Sequence, residues 1–199
     1  MLARRVAAGA LVVLAGIATL RPNPSADAEV VVAARDLRPG AALTADDVRL
    51  EKRLATTVPD GSQADVSAVV GSTLASPTRR GEVLTDVRLL GSRLAEAAIG
   101  SKAGPGARIV PLRLADAALI DLVRVGDVVY VLAAPADSPA TGQAASRVVA
   151  TDAVVILVSP RQKAQATDGD RVVLVALPAR VANTVAGSAL GQTVTLTLH

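Results

Sequence analysis

The stretch Val30–Leu50, VVVAARDLRPGAALTADDVRL, sets hydrophobic, turn and polar residues in the order that a small β module requires. Val30, Val31, Val32 and Ala33 read as a strand, and Pro39-Gly40 turns the chain. Leu43 anchors the return, and Thr44 is placed to cap a short helical turn over Ala45 to Val48. The same logic comes a second time in Val70 to Leu89. There Gly71 opens a strand through Leu74, Arg80-Gly81 makes the turn and Leu84 is the anchor, while Asp86, Val87 and Leu89 repeat the closing rhythm.

On these residues the region Glu29 to Leu90 resembles the SAF (antifreeze-like) domain. The resemblance implies a small, coiled β-clip barrel. It leaves function open, since such domains occur in sugar-acid enzymes, in the flagellar P-ring chaperone and in pilus assembly proteins. Three later stretches are similar, in order and spacing, to the CpaB/RcpC family of Flp (Tad) pilus assembly proteins. Gly104 to Leu114, GPGARIVPLRL, looks like that family's turn and entering strand. Ala115 to Ala133, ADAALIDLVRVGDVVYVLA, resembles its short helix, Gly-Asp turn and Val-rich strand. Arg171 to Leu198, RVVLVALPARVANTVAGSALGQTVTLTL, resembles its strand, helix starting near a proline, glycine stop and final strand. Two departures stand out. Val125-Gly126-Asp127 replaces the usual Pro-Gly-Asp pivot, and the extended basic tail is expected to be missing, the sequence ending at His199.

The expected fold is therefore mainly β with short helices: an N-terminal SAF β-clip module followed by a small mixed α/β RcpC-like domain. The expected boundaries are residues 1–28 for a signal peptide or N-terminal membrane anchor, 29–90 for the SAF domain, 91–106 for a linker and 107–199 for the CpaB/RcpC-like domain. Within the linker, Ser92 to Ile99 suits a short helix with Leu94, Ala98 and Ile99 on one side, and Gly100 to Gly106 reads as a hinge. Strand Arg108 to Leu114, helix Asp116 to Val123 and strand Asp127 to Ala133 follow. Pro135 to Ala145 and Ser159 to Asp170 read as loops. The β-prone run Arg147 to Val158 is expected to break near Thr151-Asp152. Strand Arg171 to Leu177, helix Ala179 to Leu190 stopped by Gly191, and strand Thr193 to Leu198 complete the chain.

Composition narrows the function classes. The net charge of +3 over 199 residues is too slight for a nucleic-acid binder, and without residues 1–28 the balance is 18 basic to 17 acidic residues. Tyr130 is the one aromatic residue, so base stacking is effectively excluded. The chain has no cysteine, hence neither disulfides nor thiolate metal sites, and its core must come from Val, Leu, Ile and Ala.

The first 28 residues carry Arg4-Arg5, an apolar run from Val6 to Leu20 and the small-x-small site Ala26-Asp27-Ala28. The 15-residue run would span about 22 Å as a helix, short of the roughly 30 Å hydrocarbon core. Extending it to Ala3 with the arginines snorkelling permits an anchor instead. Cleavage and retention both stay open. Either places the globular part outside the cytoplasm.

Candidate chemistry is sparse. The only histidine is His199 at the end of the sequence, where solvent exposure is expected. Asp46-Asp47 could meet a hard cation, but adjacent residues on a helical turn point apart and no calcium loop surrounds them, so a cap or solvated-face role is favoured. Asp168-Gly169-Asp170 and Asp127 read as turn residues rather than ligands or bases. Arg79-Arg80 could contact an anionic glycan or lipid headgroup, with a charged hairpin as the simpler reading. Gly104-Pro105-Gly106 lacks the lysine and hydroxyl of a phosphate loop. The helix Ala179 to Leu190 carries Val181, Val185, Ala189 and Leu190 toward one side, for burial on its own sheet or for a partner helix.

No catalytic, cofactor or metal residues are assigned, no cofactor is expected and the chain is expected not to be an enzyme. The resemblance implies an extracytoplasmic assembly component of an Flp/Tad-type pilus secretion system, binding other machinery proteins. Glu29 to Arg35 and Pro135 to Ala145 are the elements expected to be offered. Self-association, a cell-wall glycan and, for an uncleaved leader, the membrane are further partners in view. A carbohydrate-binding SAF module and a flagellar P-ring chaperone-like protein are the alternatives.

Overall fold

Val30 to Ala33 are all buried, and the strand they belong to, β1 (Asp27–Ala33), runs antiparallel to β2 (Val48–Leu54) with Val31 opposite Leu50. The computed structural model describes residues 27–100, 106–116, 118–135, 146–159 and 171–198. Proline and glycine at 39–40 form a turn, with Gly40 at φ +83°. Two 3-10 turns, Ala45–Asp47 and Asp86–Arg88, occupy equivalent places in the two halves of the motif. The short helix α1 (Val66–Val69) is capped by Asp65, whose carboxylate accepts from Ser67 N–H at 2.8 Å.

The two halves are stitched together by isolated antiparallel bridges in one register: Val32 with Val83, Leu37 with Thr78, Ala42 with Thr73. Gly71 to Leu74 is thus not the strand expected. Gly71 makes a turn at φ +86°, and Thr73 and Leu74 bridge different partners, Ala42 and Leu89. The chain changes partner every few residues, so no regular ladder can propagate. Val31, Leu43, Val48, Val69, Leu74, Leu84 and Leu89 fill the space between the halves.

β1 is central rather than an exposed edge. Val31 N–H donates to Gln63 O at 2.7 Å and Val31 O accepts from Leu84 N–H at 2.9 Å, so its second side is bonded too. This narrows the expectation that Glu29 to Arg35 is offered to a partner: the second half of the clip takes the backbone edge at Val31 and Ala33, while Arg35 stays exposed. The open edge belongs instead to β2, a strand not foreseen.

The second region is a five-stranded antiparallel sheet of β3 (Arg108–Leu112), β4 (Val128–Pro135), β5 (Arg147–Val158), β6 (Val173–Leu177) and β7 (Gln192–Leu198), in the order β3-β6-β5-β4-β7. Pro111 sits in edge strand β3, where a missing N–H is tolerated. β5 is one continuous strand rather than two. The expected break at Thr151-Asp152 is a bulge, with Asp152 at φ +56° and an extra residue of β5 between the pairs Val129–Ala153 and Val131–Ala150.

Alternation along β6 divides the sheet's faces. Val173, Val175 and Leu177 pack with helix α4 (Ala179–Gly191) and with Ile120 of α3 (Leu119–Leu122); Leu174 and Ala176 pack with helix α2 (Ser92–Ile99). α4 contributes Val181, Ala182, Val185 and Ala189 to this core, whereas Leu190 is 91% exposed, one residue and about 100° beyond the stripe. The segment expected to link the domains is therefore partly a packing element: Ala95 and Ile99 of α2 are buried on the sheet, and Arg93 reaches back to Asp86. A side chain at Gly40 would lie 3.9 Å from Leu157 Cδ2, a second place where the clip approaches the sheet. Among the described residues no helix is long and apolar enough to cross a membrane; residues 1–26 lie outside them.

Candidate functional site

The chain leaves β1 at Ala33 and immediately places Arg35, Asp36 and Arg38 before the Pro39-Gly40 turn. Leu37 is held by paired backbone bonds with Thr78, N–H to O at 2.8 Å and O from N–H at 3.1 Å. That clamp holds the segment between two adjoining concavities. One, of about 480 Å³, runs from Arg35 to Arg38 and along Ala41 to Thr44 to Asp47. The other, of about 350 Å³, lies between Asp36 to Arg38 and Pro77 to Arg79. Asp36, Leu37 and Arg38 line both.

Two carboxylates organise the arginines. Asp47 is 4% exposed and accepts from Thr44 N–H at 2.9 Å and Thr44 Oγ1 at 2.8 Å, as the acidic member of a capping box does. Arg35 closes on its other oxygen, with Nε at 2.7 Å and Nη2 at 2.6 Å from Oδ1. The Thr44 backbone and hydroxyl bonds, then Arg35, hold the Asp47 carboxyl below its ordinary value of 3.8 against the cost of burial. Asp36 accepts from Arg80 N–H at 2.9 Å and pairs with Arg79 Nη1 at 2.6 Å; these bonds lower its pKa as well, the backbone bond most.

Both groups are thus firmly ionised acceptors. A general base for proton transfer near neutrality needs the opposite tuning. What the arrangement can do is present guanidinium groups from a fixed frame: Arg35 and Arg79 anchored by carboxylates, Arg38 and Arg80 exposed beside them. Guanidinium geometry suits carboxylate or other oxyanion groups in two-point contacts.

Of the sequence candidates, Asp46 and Asp47 do point apart: Asp46 is exposed and Asp47 buried. Arg79 and Arg80 form the turn with Gly81 at φ +81°; Arg79 lines the groove and Arg80 N–H bonds Asp36. Asp127 accepts from Arg124 N–H at 2.7 Å and braces the Gly126 turn at φ +95°. Asp168 to Asp170, Gly104-Pro105, most of the Pro135 to Ala145 loop and His199 lie outside the described residues. Arg35, Asp36 and Arg38 were missed. Their signal was the charged run between a buried strand and a Pro-Gly turn, a position where a loop is exposed yet clamped at both ends. Among the described residues no group of His, Asp and Glu is arranged to hold a metal ion.

Comparison with known proteins bears on the first region. The SAF domain family matches residues 28–90. The crystal structure of flagellar protein FlgA from Thermotoga maritima MSB8 is similar at 34% identity over 32% of this chain and 25% of that one, with a TM-score of 0.31. The chain thus spans about a quarter of that protein's length. No curated protein matches. The clip, its internal bridges and the family match agree on the first region, and residues 28–90 are a SAF domain, followed by further β-sheet with helices.

Proposed function

We propose that the chain is a non-enzymatic, extracytoplasmic assembly component of an Flp/Tad-type pilus secretion system, of the CpaB/RcpC kind, and works by binding other proteins of that machine. The observation that carries this reading is the arginine groove of the SAF domain, whose two carboxylates are committed to holding arginines in place. Such a surface recognises acidic side chains of a partner without chemistry of its own. The similarity of Gly104 to Leu114, Ala115 to Ala133 and Arg171 to Leu198 to the pilus family supports the particular machine. The leader from Arg4 to Ala28 supports export, by cleavage or as an anchor.

Crosslinking of the tagged full-length chain in intact cells, followed by mass spectrometry, tests this. Recovery of pilus ATPase, platform or secretin subunits, lost when Arg38 and Arg79 are changed to Glu, is the expected result. Their absence overturns the assignment. The same groove also favours an anionic cell-wall glycan as a second reading, because Arg79 lines it and the exposed Arg80 follows directly in the chain. Retention of the wild type on peptidoglycan, with loss in the Arg79 and Arg80 variants, would select it.

A further inference from the structure

The three strands at sheet edges are not equally protected. β3 carries Pro111, and β7 is partly capped by Ala115 N–H on Val194 O at 2.8 Å. Among the described residues β2 has no proline and a single such bond, Thr57 Oγ1 on Leu54 O at 2.8 Å, at its last residue. Val31 and Ala33 of β1 direct their backbone groups away from β2, to Gln63, Leu84, Glu82 and Gly81. In an antiparallel pair the residues opposite them face outward as well. Leu50 lies opposite Val31, so Leu50, and with it Lys52 and Leu54, turn their N–H and C=O groups away from β1; Leu54 O already accepts from Thr57 Oγ1 at 2.8 Å and keeps one lone pair for a further bond. The side chains there are open too: Leu50 is 47% and Leu54 51% exposed. Arg49, Glu51 and Arg53 form an ion-pair row on the other face, with Glu51 bonded to both arginines at 2.7 Å.

We infer that this edge pairs with the same edge of a second copy of the chain, antiparallel about a two-fold axis through Lys52. Only outward-facing residues can meet in bonded pairs, which restricts the registers. Placing Leu50 opposite Lys52 sets Glu51 on Glu51 and Arg49 on Arg53, which is repulsive. Centring on Leu50 leaves Leu54 uncovered, opposite Asp46. Centring on Lys52 sets each Leu50 on a Leu54 of the other copy and each Glu51 on an Arg53. Both exposed leucines are covered, each Glu51–Arg53 pair is complementary, and the one like-charged contact is Lys52 on Lys52 at the axis. The two Lys52 stems lie along the leucines with their ammonium groups extended to water. The pairing uses up both free edges and closes as a dimer instead of growing into a fibre.

Because the chain has no cysteine, an introduced one reports its own contact. Purified full-length chain carrying Cys at position 50, 52 or 54 in turn would be treated with a short bis-maleimide, with Leu190→Cys as an exposed collision control. The Lys52→Cys chain should give covalent dimer on the order of tenfold more efficiently than the control, as expected for an enforced neighbour. Adding Glu51→Arg should suppress that yield, and adding Arg53→Glu as well should restore it, since the swap re-creates the complementary rows between copies. Circular dichroism of each variant separates lost pairing from lost fold. Equal yields at all positions and in the control overturn the dimer; a maximum at position 50, or a yield indifferent to the charge swap, overturns this pairing. The result is independent of the pilus reading, whose failure would show in the partners recovered from cells.

Discussion

Asp47 shows how one residue joins local structure to the candidate site. Its adjacency to Asp46 on a helical turn, after a threonine, was enough to read a cap or a solvated face from the sequence, and the structure divides the two roles between Asp47 and Asp46. The partner Arg35, twelve residues earlier, was not readable, because nothing local says which arginine folds back across the turn. Asp47→Asn should cost about 1–2 kcal/mol, by loss of the charged cap and ion pair. The pH dependence has a definite sign. A carboxyl held below 3.8 in the folded state adds stability that is fully present above its unfolded value and is lost as pH falls through the folded one. The melting-temperature gap between wild type and Asp47→Asn should be constant above about pH 5, narrow as pH falls below the ordinary carboxylate range, and close once the folded-state carboxyl is protonated. Thermal unfolding followed by circular dichroism over that range checks it.

At the scale of elements, patterning was informative where one face is buried and misleading where burial is uneven. α4 was expected to carry Leu190 on its apolar side, but the stripe that meets the sheet runs through Ala182, Val185 and Ala189. Leu177→Ala, at a fully buried site of β6, should destabilise by about 2–5 kcal/mol, while Leu190→Ala should change stability by less than about 0.5 kcal/mol. Urea titration of both variants would test the assignment of faces. β2 escaped notice because the apolar row Val48, Leu50 and Leu54 in VRLEKRL is broken by Lys52 and backed by an all-charged face, which reads as a solvated segment. The β5 bulge was half legible. The polar pair Thr151-Asp152 marked an irregularity, but whether the strand stops or bulges depends on the neighbours that hold both ends, here β4 and β6.

At the scale of the whole molecule, α2 connects the two regions by packing as well as by chain. Its buried residues Ala95 and Ile99 sit on Ile156 and Ala176 of the sheet, and Arg93 reaches Asp86 in the SAF domain. Placing a charge in that contact by Ile99→Asp should cost several kcal/mol at the junction and leave the two separate cores intact. Scanning calorimetry should then resolve two transitions where the wild type gives one. A single, uniformly lowered transition would mean that the cores themselves depend on the junction.

Local pattern was enough for the mainly β character and for most strand and helix positions in the second region, while the SAF clip was implied by the resemblance of residues 29–90 to that domain. Those features rest on turn glycines and prolines and on periodic Val and Leu, whose effects are local. Tertiary structure alone decided which strand edge stays open, which arginines gather at one groove and which face of the sheet receives α2. Each of these depends on residues far apart in the chain meeting in one register. A local pattern records that a residue will be buried or turned, but not against what; Val31 could be read as a core residue from its neighbours, whereas its bonds to Gln63 and Leu84, which leave β2 as the free edge, exist only after the clip has closed.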